Sequence, residues 1–422
     1  MTNNIKLLYT DKQIEALKSV NKNFWVLIQH GAKRAGKTIS NNDLFLMELI
    51  RVRKIADKLK VKDPQYILAG NSLGTLERNV LIEITNKYGI RFKFDKFNRF
   101  KLFGVLVCCF GHGTIKDLER IRGMTSYGAY INEITTSVEA VSREIFNRCS
   151  GEGARLLIDT NPDNPEHWVK KELVDKADGE KIISIHYTLE DNTFLSPRYI
   201  ENIKFTTPTG QFYDRDIRGL WVNAEGTVYA DFDKEKMTVK TVDRNTIVRY
   251  LFGVDWGYEH PGAISVIGID NKGNYILLET HKKQHKEIDY WVQVARDIKT
   301  KYGNYPFYCD GARPEHLARF IREGFNASNA RKEILSGIEC VASLIKTGRF
   351  YVLESCKPYF DEVYSYVWDT KSGLPIKVND DVQDSIRYAI YTDYITKLDV
   401  GAQKGQQSNY FNNQGFYSYI GG

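Results

Sequence analysis

The sequence predicts two α/β domains in tandem, and three observations predict them. The apolar run Phe24-Trp25-Val26-Leu27-Ile28 leads into a glycine-bearing segment and then a helix-like stretch, Asn41 to Ile55. Apolar strand-like runs alternate with amphipathic segments as far as about residue 190, the pattern of a mainly parallel sheet. Beyond a turn-rich stretch, three closely spaced strand-like runs separated by Gly-containing turns suggest an antiparallel meander. A length of 422 residues, 42% hydrophobic and 27% charged, also exceeds the usual size of one core.

In the first domain, taken as residues 1–190, the strand candidates are Phe24 to Gln29, Gln65 to Ala69, Leu102 to Phe110, Ala129 to Ile131 and Arg155 to Ile158. Residues 191–245 carry Ser-Pro, Thr-Pro-Thr-Gly and Asn-Ala-Glu-Gly turn signals and are expected to form a linker with short helices. The second domain, 246–400, opens with Tyr250 to Val254, Ala263 to Ile269 and Tyr275 to Glu279. Residues 401–422, rich in Gly, Asn, Gln, Ser and Tyr, offer little to pack and are expected to be a mobile tail.

Composition narrows the class. A net charge of +6 suits a polyanionic partner, but the basic residues are spread along the chain, so charge alone argues weakly for nucleic acid. Six cysteines, at 108, 109, 149, 309, 340 and 356, show no C-x-x-C and no zinc spacing, which predicts reduced thiols and no disulfides. The longest apolar run, Leu102 to Phe110, is far short of a membrane span, and no signal-peptide core precedes it, so neither secretion nor insertion is expected.

Gly31-Ala32-Lys33-Arg34-Ala35-Gly36-Lys37-Thr38 spells G-x-x-x-x-G-K-T, the loop of P-loop nucleotide triphosphatases, and predicts ATP binding. Between a buried strand and a helix, such a loop aims successive backbone N–H groups at phosphates. Lys37 is expected at the β and γ oxygens and the Thr38 hydroxyl at Mg²⁺. A second strand must then present a carboxylate to the attacking water, and Tyr127-Gly128-Ala129-Tyr130-Ile131-Asn132-Glu133 fits, with Glu133 as the candidate base. Its neighbour would ordinarily be an Asp holding the metal's shell; Asn132 carries no charge, so metal binding leans on Thr38 and the phosphates.

Further on, Asp159-Thr160-Asn161-Pro162 ends another strand near a γ-phosphate position, where small polar groups can sense hydrolysis; a plain turn explains the same letters. Thr10 and Gln13 form a capping-box pattern, and Gln13 could instead meet adenine while Tyr9 stacks on it. Arg143 and Arg148, with Lys33 and Arg34 inside the loop, are open candidates for a catalytic cation.

In the second domain Asp255 ends the first strand and Asp310 ends the later strand Pro306-Phe307-Tyr308-Cys309. Asp384 lies in the helix-like Asp380 to Tyr388. A strand of a meander, a crossover strand and a closing helix can bring three carboxylates together, the arrangement RNase H-like nucleases use to hydrolyse phosphodiesters with two divalent metals.

The series GAKRAGKT, YINE, DTNP then HW, GLWVNAEGTVY, GVDWG, YCDGARPEH and DDVQDSIRY, in that order, resembles the large terminase subunit of tailed bacteriophages over the chain up to about residue 400. The resemblance implies a P-loop ATPase domain followed by an RNase H-like nuclease domain. It implies ATP-driven translocation of double-stranded DNA into a procapsid and endonucleolytic cutting of concatemers. By the same resemblance Lys37 and Thr38 bind Mg-ATP, Glu133 activates water, Thr160, Asn161 and Pro162 match the coupling motif, and Asp255, Asp310 and Asp384 bind Mg²⁺ or Mn²⁺. Many relatives carry Asp-His where this chain has Asp380-Asp381, so Asp381 is a further possible metal ligand; His281, His285 and His316 read as surface or structural residues. The implied partners are a small terminase subunit, the procapsid portal and other copies of the chain in a ring, in the host bacterial cytoplasm. Two other classes stay open: a cellular helicase or repair nuclease, although further helicase motifs are absent, and an ATP-binding packaging adaptor without turnover, for which Asn132 would mark decay.

Overall fold

The computed structural model describes residues 7–223 and 225–414. It divides into two compact units, Met1–Lys204 with Gln211–Asn223, and Phe205–Gly210 with Ala224–Gly422.

The first unit is built on β1 (Val26–Gly31), β2 (Gln65–Gly70), β3 (Arg99–Leu102), β4 (Val105–Gly111), β5 (Gly128–Asn132), β6 (Arg155–Thr160) and β7 (Ile182–Tyr187), ordered β3-β4-β2-β5-β6-β1-β7. All pairings are parallel except β3 with β4. Such a sheet needs cover on both faces, and the period-two alternation supplies it. Leu27, Leu68, Tyr130 and Leu157 join Leu44, Phe45 and Leu49 of the Lys37–Lys58 helix. Val26, Ile28, Ile67, Ile131 and Ile158 join Val141 and Ile145 of the Glu139–Arg148 helix on the other side.

Two strands differ from the sequence expectation. The Leu102 to Phe110 run is not one strand: Phe103 and Gly104 both take positive φ, 48° and 75°, and fold it into a tight hairpin with Leu102 opposite Val105. β7 was not among the expected strands, although buried Ile183, Ile185 and Tyr187 alternate with half-buried Ile182, Ser184 and His186. The stretch 191–245, expected as a linker with short helices, carries the helices Pro197–Thr206, Gln211–Asp216 and Lys234–Met237, and its residues 191–204 and 211–223 belong to the first unit.

The second unit contains β8 (Thr238–Val239), β9 (Ile247–Asp255), β10 (Gly262–Asp270), β11 (Tyr275–Lys283), β12 (Phe307–Cys309), β13 (Ala327–Asn329) and β14 (Phe350–Leu353), ordered β13-β12-β9-β10-β11-β14-β8. β9, β10 and β11 form the antiparallel meander; the other pairings are parallel. One face is apolar, where Phe252, Val254, Ile264 and Val266 pack with Trp291, Ile298 and Phe320.

The other face receives the Asp381–Gln414 helix. Ser265 and Ser385 hydroxyls meet at 2.6 Å, and a Cβ on Gly253 would fall 1.8 Å from the Ser385 carbonyl oxygen. Only glycine at 253 lets the helix lie this close to β9, which brings Asp384 beside the end of that strand. The expected tail at 401–422 begins inside this helix, and 415–422 lie outside the described residues. All six cysteines are free, and among the described residues no helix is long and apolar enough to cross a membrane.

Candidate functional site: a phosphate loop and an acidic cavity

The G-x-x-x-x-G-K-T loop leaves β1 at Gly31 and enters the Lys37–Lys58 helix through Gly36. Both glycines have positive φ, 140° and 93°, and a Cβ on Gly31 would sit 2.0 Å from the Tyr187 carbonyl oxygen. The loop therefore depends on glycine at each end. Ala32 and Ala35 are fully buried beneath it. Lys33 pairs with Asp216 at 2.7 Å, and Arg34, at φ 60°, accepts a bond from Asn192 through its carbonyl. Thr38 is half-buried in the first turn of the helix.

Lys37 is folded onto its own loop. Its ammonium donates to the carbonyls of Gly31 (2.9 Å) and Ala32 (2.6 Å) and to the Asn161 side-chain oxygen (3.0 Å). Burial pushes it down to about 8, against the opposing pull of Glu133, Asp159 and Asp216. Asn161 in turn donates to Glu133 at 3.2 Å, so Lys37, Asn161 and Glu133 form one chain of polar contacts. Glu133, directly after β5, takes the left-handed conformation at φ 60°, a costly choice for a residue with a side chain. Burial and then the charge of Asp159 push its carboxyl above the ordinary glutamate range, while Lys37 and Lys33 pull it back.

The residues between these groups are tightly tied. The Thr135 and Thr160 hydroxyls meet at 2.6 Å, and the Thr135 N–H donates to Thr160 as well. Asp159 receives donors from Asn132, Tyr130, Asn41 and the Glu133 N–H. Pro162 is buried just beyond Asn161.

Other residues singled out by sequence have defined places. Thr10 and Gln13 make the capping box, and the Gln13 amide also donates to the Gly36 carbonyl at 2.9 Å, so the side chain braces the loop. The Tyr9 hydroxyl accepts from Lys87, whose ammonium also lies 4.6 Å from the centre of the Tyr9 ring. Arg143 is held by Glu139 and Glu172, and Arg148 by Glu144, so each guanidinium is committed to its own carboxylates.

In the second unit Asp255, Asp310 and Asp384 line one cavity of about 400 Å³, together with Asp380, Asp381, His260, Lys377 and Tyr388. Asp255 comes from the end of β9, Asp310 follows β12, and Asp384 stands in the first turn of the closing helix. As they stand, no three His, Cys, Asp or Glu side chains among the described residues converge closely enough to hold an ion. Cationic side chains occupy the spaces. Lys377 reaches Asp384 at 3.1 Å and Asp380 at 3.3 Å, Arg387 reaches Asp384 at 2.9 Å, Lys332 pairs with Asp310, and Lys282 pairs with Asp381 at 2.9 Å. Asp255 has no ion pair among the described residues. Burial, and then the surrounding Asp384, Asp310, Asp381 and Asp380, push its carboxyl well above the usual range. The donor set is all hard oxygen, the kind Mg²⁺ and Mn²⁺ take.

Sequence reasoning did not anticipate these lysines, His260 at the cavity wall, or the contacts of Asp159. His281 pairs with Glu279, and His316 lies edge-on to Trp256 in a neighbouring depression.

Comparison with known proteins gives a consistent result. Residues 29–236 match the family described as terminase large subunit, T4likevirus-type, N-terminal, and residues 252–392 match the terminase RNaseH-like domain. The large terminase of Escherichia phage T5 is 24% identical over 229 residues, covering 50% of this chain and 51% of that protein. That of Salmonella phage P22 is 22% identical over 250 residues, covering 52% of this chain and 46% of the other. The chain spans about half the length of the curated relatives it matches. Among solved structures, the large terminase of a thermophilic bacteriophage in complex with ADP is 27% identical, with a TM-score of 0.78 over 91% of this chain and 99% of that one. The same terminase in complex with ATP-gamma-S gives 28% and 0.75 over the same shares. With a phosphate loop in a mainly parallel sheet, an RNase H-like unit lined by acidic residues, and matches along both units, the chain belongs to the large terminase subunit family of tailed bacteriophages.

Proposed function

We propose that this chain is a DNA-packaging motor and nuclease: its N-terminal unit hydrolyses ATP to drive double-stranded viral DNA into a procapsid, and its C-terminal unit cuts the concatemer. The observation that carries the reading is the pairing, in one chain, of the Lys37–Asn161–Glu133 polar chain at a phosphate loop with an acidic cavity fed by β9, β12 and a closing helix. The thermophilic phage terminase, solved with ADP and with ATP-gamma-S, supports the nucleotide assignment.

In this reading the loop N–H groups from Gly31 to Thr38 cradle the phosphates, Lys37 leaves its carbonyl partners for the β and γ oxygens, and Thr38 holds Mg²⁺. Glu133 orients and deprotonates water. Asn161, bonded to both Lys37 and Glu133, is the sensor, with Thr160 and Pro162 fixing its place. Asp255, Asp310 and Asp384, with Asp381 near them, hold Mg²⁺ or Mn²⁺, which activates water and neutralises the leaving oxygen. DNA is gripped through its phosphates, without sequence preference and with strong salt dependence. A small terminase subunit, the portal and further copies of the chain complete the machine in the host cytoplasm.

The test is one purified preparation assayed for DNA-stimulated ATP hydrolysis and for nicking of supercoiled plasmid. Lys37→Ala is expected to lose hydrolysis and keep nicking, and Asp384→Asn the reverse. Loss of both activities in either variant, with the fold intact, would overturn the two-site reading.

Lys377 gives a finer check. Its ammonium stands between Asp384, a proposed metal ligand, and Asp380 beside it, so it competes with the ion for Asp384. Lys377→Met is expected to lower the Mn²⁺ concentration for half-maximal nicking by about threefold to tenfold, roughly 1 kcal/mol, a modest effect because the lysine is solvent-facing. A metal titration that does not move would show that Lys377 does not compete with the ion, and one that moves upward would show that it assists the site.

A further inference from the structure

We propose that Asp159 supplies, from strand β6, the carboxylate that strand β5 lacks at Asn132, and that it is the positioning residue for Glu133. The proposal rests on the hydrolytic reading of Glu133 and deepens it.

Parallel pairing sets Asn132 directly opposite Asp159, so the two side chains emerge side by side from the sheet. Both are about 1% exposed. Asn132 donates to Asp159 at 2.8 Å, and the Glu133 N–H donates to the same oxygen at 3.1 Å. The other oxygen accepts from the Tyr130 hydroxyl at 2.7 Å and from Asn41 at 3.4 Å. A buried carboxylate is tolerated only when its oxygens are paired, and here four donors converge on it, from β5, from the residue after β5 and from the loop helix.

Chemistry restricts what this pair of positions can hold. Two carboxylates side by side in the sheet would repel, and two amides would leave no anion for the Glu133 N–H. One Asp and one Asn satisfy both demands, and the charge can sit on either strand. In this chain it sits on β6. The acidic group expected on β5 at Asn132 is then found on β6 at Asp159, a transposition that keeps one carboxylate across the pair.

The position has a consequence for the reacting side chain. Glu133 is held at φ 60°, where a non-glycine residue is strained, and its N–H bond to Asp159 is one restraint that keeps it there. That backbone turn aims the carboxylate at Asn161 and, through it, at Lys37. Asn41 lies one turn beyond Lys37 in the loop helix, so the same carboxylate ties the base to the helix that carries the phosphate loop.

The experiment uses the full chain in four forms, wild type, Asp159→Asn, Asn132→Asp and the double exchange, with Glu133→Gln as the reference. Steady-state ATP hydrolysis is measured alongside binding of a fluorescent ADP analogue and thermal melting. Asp159→Asn is expected to lower kcat about a hundredfold, the scale of a mispositioned base, with KM for ATP and ADP affinity within about threefold of wild type. The double exchange, which keeps one Asp and one Asn across the strands, is expected to return kcat to within about tenfold of wild type. If Asp159→Asn does not fold, the double exchange still decides.

A folded, ADP-binding double variant no faster than Glu133→Gln would overturn the transposition, as would Asp159→Asn with wild-type kcat while Glu133→Gln is inactive. Wild-type turnover in Glu133→Gln, or no turnover by the wild-type chain, would overturn the base assignment and this inference together.

Discussion

Glu133→Gln is expected to cut ATP turnover by on the order of 10² to 10⁴-fold while leaving ADP affinity within about threefold of wild type. The asymmetry follows from where the side chain stands. Among the described residues the hydrogen bonds of Glu133 toward the loop run through Asn161, so in the proposed reading its neutral isostere removes the proton acceptor and leaves the loop's N–H groups and Lys37 in place. Gln keeps an oxygen for the Asn161 amide, so the fold is not expected to suffer. A second signature comes from the electrostatics: burial and Asp159 push the Glu133 carboxyl up, and a base must be ionised to work. The acid limb of the kcat profile is therefore expected above the ordinary glutamate value of about 4.3. Stopped-flow or coupled-assay hydrolysis between pH 5 and pH 9 measures it. Undiminished turnover in the variant would remove Glu133 from the chemistry.

Lys37→Ala is expected to differ in kind. In the proposed reading the ammonium now bonded to the Gly31 and Ala32 carbonyls is the group that meets the phosphates, so its loss removes binding as well as turnover. Comparing the two variants separates holding the nucleotide from hydrolysing it.

What the letters revealed tracks how local the chemistry is. The phosphate loop was legible because a strand, two glycines, a lysine and a threonine within eight residues carry its whole function. That Asp255, Asp310 and Asp384 line one cavity was legible because each ends or opens an element in a topological order that permits convergence. The glycine that makes the convergence tight, Gly253, carries no such signal. Its role depends on the Ser385 carbonyl, 132 positions away in sequence by the difference of the two numbers. Of the partnership of Asn132 with Asp159 only the separate parts were visible, an Asn where an acid is usual and an acid in the next strand's motif. That the two are neighbours becomes apparent only when β5 is seen to pair with β6. Lys282, Lys332 and Lys377 arrive at the acidic cavity from three separate segments, and no sequence spacing announces them. The hairpin at Phe103-Gly104 was hidden because its turn is embedded in an unbroken apolar run.

Asp255→Asn is expected to abolish metal-dependent nicking, by at least about 10³-fold, and at the same time to make the metal-free protein more stable. The two effects share one cause. Asp255 is set among Asp310, Asp380, Asp381 and Asp384, and burial with that like charge raises its carboxyl well above the usual range. In the unfolded chain it ionises near pH 4; in the folded chain it keeps its proton to higher pH. Between those two values the folded state binds more protons than the unfolded one, so stability falls as pH rises through the interval. The cost is absent below the unfolded value and complete above the folded one. Asparagine has no such titration, so the gap between variant and wild type is expected to widen with rising pH. At its widest it should reach about 1 kcal/mol, or roughly 2–4 °C in the melting of a unit this size. Divalent metal should reverse the order, because an ion that binds the folded carboxylates stabilises the wild type and finds one ligand fewer in the variant. Melting curves with chelator and with Mn²⁺ at three pH values measure this without any cleavage assay. A variant less stable than wild type in chelator would mean that Asp255 is held by favourable contacts and is no strained ligand awaiting a metal.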